Sequence, residues 1–142
     1  MRFALFDSSI YISGMRRGED AVLAQRRLSP DTLLWLSSVV LEELYAGALG
    51  HVRKSVERLE HDFERAGRIL VPNLGDWTQT GRVLSSVASK YGYEKIGRGR
   101  LTNDALIAMS AARIGARVVT VNERDFRKLA EFRTFKWEVS VF

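Results

Sequence analysis

Five short runs rich in large apolar and β-branched residues recur along the chain, at Arg2–Phe6, Leu33–Ser37, Ile69–Val71, Arg117–Val121 and Phe135–Val141, and each predicts a strand. Between them the period changes. Val52, Val56, Leu59 and Phe63 stand at i, i+4, i+7 and i+11, with charged residues from Arg53 to Arg65 on the other side, which gives a helix one core face and one solvated face. Val83, Leu84, Val87, Ala88 and Tyr91 form a second helical stripe within Asp76 to Tyr91, and Gly92 is placed to end it. The alanine-rich run "NDALIAMSAARIG" predicts a third helix with Thr102 as its N-cap and Gly115 at its end, its small residues serving close packing against a sheet.

Strands alternating with helices predict an α/β domain with a largely parallel sheet, because parallel neighbours need helical crossovers. Residues 1–142 fit a single domain, with no internal repeat or linker. Hydrophobic residues at 46% and charged residues at 27% are near globular norms and suggest neither a disordered chain nor a coiled coil. No apolar run approaches the roughly 18 residues that cross a bilayer, and the N-terminus has no leader pattern, so a cytoplasmic protein without membrane contact is expected. With Cys 0 there is neither a disulfide framework nor a thiolate metal site. A net charge of +5 favours a polyanionic partner, RNA or DNA first.

Candidate chemistry begins at "RFALFDSSIYI", where an aspartate stands between two apolar runs. Burial of an unpaired carboxylate costs several kcal/mol or drives it neutral, so something must hold Asp7. In open α/β sheets ligands bind beyond the C-terminal ends of the strands. Asp7, Glu43, Asp104 and Asp125 all follow predicted strands or open the helices after them. Singly, each has an ordinary role as a cap or first-turn acid. Periodicity leaves Glu42 and Glu43 equivalent about the core stripe of Val40, Leu41, Leu44, Tyr45 and Ala48, and only the open space expected at Gly47 favours Glu43.

Together the four acids point to a hard divalent cation, Mg²⁺ or Mn²⁺, because gathered carboxylates repel unless a cation neutralises them. Zn²⁺ is disfavoured, since His51 and His61 are not an i, i+4 pair and cysteine is lacking. No serine–histidine–acid arrangement and no phosphate-cradling G-x-x-x-x-G-K motif is evident. Lys95, Arg98 and Arg100 in the glycine-rich "EKIGRGR" are candidates to meet RNA phosphates.

"FDSSIYI", "SSVVLEELYAG", "TNDALIAMSAARIGARVVTVNERDF" and the terminal strand, in this order, resemble the PIN-domain ribonucleases, and in particular the VapC-type toxins of bacterial toxin–antitoxin pairs. The resemblance implies a three-layer α/β/α sandwich around a mainly parallel sheet of about five strands, and metal-dependent hydrolysis of RNA phosphodiester bonds. It places the family's acidic quartet on Asp7, Glu43, Asp104 and Asp125, with Asp7 and Asp104 as metal ligands. Its E-L-x-x-G element selects Glu43, Ser9 and Asn122 match its auxiliary polar positions, and Glu123 is an alternative fourth acid. It further implies a cognate antitoxin and a homodimer. Two other readings compete: a catalytically inactive PIN-like RNA-binding domain, and a Mg²⁺-binding receiver-type signalling domain. The receiver is disfavoured because "FDSS" supplies one acid after the first strand and "ILVPNL" none after the third.

Overall fold

The computed structural model describes residues 1–94 and 101–140, and all five predicted strands form in it. They are β1 (Arg2–Phe6), β2 (Thr32–Ser37), β3 (Ile69–Leu70), β4 (Arg117–Thr120) and β5 (Trp137–Val139). One sheet contains them in the order β3-β2-β1-β4-β5, and every pairing is parallel. Ala4, Leu5 and Phe6 of the central β1 are buried in succession, as expected of a strand with helices over both faces. The last strand is shorter than its apolar run, confined to Trp137–Val139. Both edge strands, β3 and β5, are very short, which leaves little template for pairing with another chain.

Seven helices lie among the described residues: α1 (Ser8–Arg17), α2 (Ala21–Leu28), α3 (Ser38–Gly47), α4 (His51–Arg65), α5 (Leu74–Tyr91), α6 (Leu101–Ile114) and α7 (Glu123–Ala130). Right-handed crossovers put α1 to α4 on one face of the sheet and α5 to α7 on the other, the three layers of a sandwich. The packing agrees, with α1 against α2 and α3, α3 against α4, and α5 against α6 and α7. On α4, Val56 and Phe63 are buried while Val52 and Leu59 are half-buried, so the predicted stripe is the core face. No helix among the described residues is long and apolar enough to cross a membrane.

The alanine-rich α6 is buried from Asp104 to Ala111 and packs on α5, α7, α3 and β4. Its small residues therefore answer to neighbouring helices as well as to the sheet. Thr102 does not cap this helix but lies inside it, since helical backbone already includes Leu101. Gly115 ends it as expected, in the left-handed conformation at φ +71° that glycine adopts without a Cβ penalty.

One polar tie fastens the α5–α6 layer. Asn73 and Asp76 form a capping box at the start of α5, each side chain accepting from the other's backbone N–H at 2.9 Å. Buried Asp76 also accepts from Arg113 Nε on α6 at 2.9 Å, and Arg113 Nη2 donates to the Val71 carbonyl at 3.0 Å. Asp76→Ala should therefore cost about 2 kcal/mol, roughly half from the cap and half from an ion pair whose arginine is partly exposed. Urea unfolding of parent and variant checks this, with a lowered midpoint and an unchanged slope expected.

Candidate active site

Asp7 is the single residue between β1 and α1, and its extended backbone makes it the N-cap of that helix. Its Oδ1 accepts from Ser9 N at 3.1 Å and, in a very short contact, from Ser9 Oγ. The β1–β4 register pairs Phe6 with Val119, and Asp7 N continues it by donating to the Val119 carbonyl at 3.1 Å. One step further Asp7 meets Thr120, whose Oγ1 donates to Asp7 Oδ2 at 2.6 Å and accepts from Asn122 N at 2.8 Å. Ser9 Oγ accepts in turn from Val121 N at 3.2 Å. The buried carboxylate is thus held by hydroxyls and amides from both strand ends. Burial pushes its pKa up, and the hydrogen bonds from Ser9 and Thr120 offset part of that rise.

Asn122 carries the link onward. Its Nδ2 donates to Asp104 Oδ2 at 3.3 Å and to Asp125 Oδ2 at 3.0 Å, so these two carboxylate oxygens lie within about 6 Å of each other. A neutral amide thus bridges the two carboxylates. Asp104 is buried in the first turn of α6 and Asp125 half-buried in the first turn of α7. Glu123 turns away instead, exposed and ion-paired with Arg127. Of the two acids in "VNERDF", the one that joins Asn122 and Asp104 is Asp125.

On α3, Glu42 is exposed, while Glu43 is half-buried with its Oε1 enclosed. That helix packs on α1 and α6, the helices that begin beside Asp7 and Asp104. A Cβ at Gly47 would meet nothing within 4 Å, so the space beside Glu43 exists although no contact demands glycine there. Both histidines are exposed on α4. Lys95, Arg98 and Arg100 lie outside the described residues. Thr120 is the site residue to which the sequence assigns no role. It is fully buried at the end of β4, and a lone hydroxyl closing the strand "RVVT" is the signal that points to it.

The cluster occupies the switch point of the sheet, where chain progression leads from β1 to β2 on one side and from β4 to β5 on the other. Crevices open beyond the strand ends at such points. Asp7, Asp104 and Asp125, with the Ser9 hydroxyl, offer a hard, oxygen-only donor set. Among the described residues no group of three or more His, Cys, Asp or Glu is placed to hold a metal ion. Mg²⁺ and Mn²⁺ characteristically take one or two carboxylates and complete their shell with water and phosphate, and the donor chemistry of one or two of these acids is of that kind.

Comparison with known proteins places this geometry in context. The PIN domain family model matches residues 4–132. Among solved structures, DNA-bound VapBC from Salmonella typhimurium is 21% identical, with a TM-score of 0.70 over 98% of each chain. VapBC2 from Rickettsia felis, bound to a promoter DNA fragment, is 20% identical at a TM-score of 0.68 over 97% of this chain and 98% of that one. VapBC-1 from nontypeable Haemophilus influenzae is 22% identical at 0.66, over 96% and 97%. These identities speak of a shared fold. No curated protein sequence matches significantly. With the family match spanning β1 to the end of α7 and the acids gathered at the sheet's switch point, the chain belongs to the PIN domain family.

Proposed function

We propose that the chain is a metal-dependent endoribonuclease and the toxin component of a toxin–antitoxin pair. The observation that carries the chemistry is the hydrogen-bonded relay from Asp7 through Thr120 and Asn122 to Asp104 and Asp125, which links three acids from separate parts of the chain. Asp7 and Asp104 are the residues that would hold Mg²⁺ or Mn²⁺, with Glu43 and Asp125 orienting water. When bound, such an ion supplies a water of lowered pKa and stabilises charge on the leaving oxygen. Asp7 keeps its orientation because Ser9 and Thr120 fix both of its oxygens, and Asn122 fixes Asp104 and Asp125 relative to each other. Ser9 Oγ is committed to Asp7, and no histidine lies in the hydrogen-bonded set to activate it as a nucleophile.

The likeness to solved VapBC structures supports the toxin role and an antitoxin partner. A groove between α1–α2 and α4, lined by Met15, Val22 and Leu59 together with Asp20, Arg58 and Asp62, is a mixed apolar and charged surface that a segment of another protein could occupy. A basic antitoxin residue placed among the acids would answer the same charge as a metal ion. A homodimer belongs to the same reading.

Asp7→Asn should lower divalent-dependent cleavage of single-stranded and structured RNA by about a hundredfold or more while retaining the helix cap. Undiminished cleavage would refute the assignment. The same variant should match or exceed the parent's stability at neutral pH in the absence of metal. The raised pKa means that the folded state binds the Asp7 proton more tightly, so ionisation destabilises the parent. That penalty is complete above the folded pKa, fades as pH falls through it, and is gone below the ordinary value of 3.8. Melting curves across pH test the trend.

Mn²⁺ should also raise the melting temperature of the parent more than that of Asp104→Asn, because binding to the folded state alone stabilises by mass action. Equal shifts would strike Asp104 from the ligand set.

A further inference from the structure

Beside the acids runs an open groove that the chemistry above does not use. Tyr91 at the end of α5 forms one wall, and α7 with the turn before it forms the other. Asn122 lines the groove too, so the groove opens onto the amide that holds Asp104 and Asp125. Along α7, Arg124, Arg127 and Lys128 stand at i, i+3 and i+4 and share one face.

The carboxylates of the groove are already answered. Glu123 pairs with Arg127, while Glu131 accepts from Lys90 Nζ at 3.2 Å and from the Tyr91 hydroxyl at 2.7 Å. The Tyr91 hydroxyl bond and Lys90 hold the Glu131 carboxyl below the usual range, so it stays ionised and engaged. Arg124 makes no ion pair among the described residues, and Lys128 Nζ lies 5.1 Å from the centre of the Tyr91 ring. Positive charge is therefore in surplus beside the acids. The Tyr91 ring carries both Lys128 and Lys90, the latter at 5.2 Å, and so offers a cationic surface instead of a bare platform for stacking a base.

We propose that this groove is a phosphate track, in which Arg124 and Lys128 hold the RNA strand flanking the scissile bond by its backbone charge and not by base identity. The inference rests on the ribonuclease reading and names where that site takes its substrate. Single-stranded RNA releases counterions as cations neutralise its phosphates, so each lost contact lowers the salt dependence of binding.

The test is steady-state cleavage of single-stranded RNA by the full chain with Mn²⁺, over a series of salt concentrations. Parent, Arg124→Gln/Lys128→Gln and a control with the same charge change on α4, Arg53→Gln/Lys54→Gln, are compared. The groove variant should raise KM about tenfold at unchanged kcat, and lower the slope of log KM against log salt by about 1.4, whatever the base composition. The control should behave as the parent. Arg124→Gln alone, at an exposed position, should move both quantities in the same direction by less, which keeps the test valid if the double variant misfolds. A parent-like KM and salt slope, or an effect confined to one base, would overturn the phosphate track. A parent that fails to cleave RNA would bring down the ribonuclease reading itself.

Discussion

The hydrogen bond from Thr120 to Asp7 joins the sheet to the site. A carboxylate buried at the end of a central strand costs several kcal/mol unless donors surround it. Here those donors exist only because β1 and β4 pair in parallel at one register, which sets Asp7 against the end of β4. A slip of one residue would turn every side chain of β4 to the opposite face and remove Thr120 from reach. Ala4, Leu5 and Phe6 are buried immediately before Asp7, so the apolar core leads directly to the position of the charge.

Three helices then bring negative charge to the same place. Asp7 caps α1, Asp104 lies in the first turn of α6, and Asp125 in the first turn of α7. The positive ends of three helix dipoles therefore face the acids, each worth about 0.3 to 1 kcal/mol. This partial compensation comes from backbone and leaves the side chains acidic. The alanines of α6 matter for the same reason, since a helix packed so closely against α3, α5 and α7 delivers Asp104 to the crevice without bulky side chains between.

The strands were legible because buried parallel strands are apolar without interruption and are bounded by polar turns, which is how β1 reads from Arg2 to Phe6. Helix α4 was legible because one of its faces meets water. Thr102 misled as a cap: a threonine before an apolar run marks a helix start only where the backbone turns there, and α6 is already helical at Leu101. Periodicity alone leaves Glu42 and Glu43 equivalent, with Gly47 and the E-L-x-x-G element favouring Glu43, because their difference in burial arises from α1 and α6, which pack on α3. Thr120 shows in the sequence only as a lone hydroxyl closing its strand, and that hydroxyl gains its partner once the register sets it against Asp7, more than a hundred residues earlier in the chain.

Asn122 has a last consequence. A primary amide has two N–H vectors about 120° apart, and it has no charge of its own to add or to lose with pH. By dividing them between Asp104 and Asp125 it spaces two like charges during folding, before any ligand arrives. The side-chain entropy of posing those groups is then absorbed by folding and not by association. The two carboxylates are therefore preorganised, with a spacing set by a neutral strut.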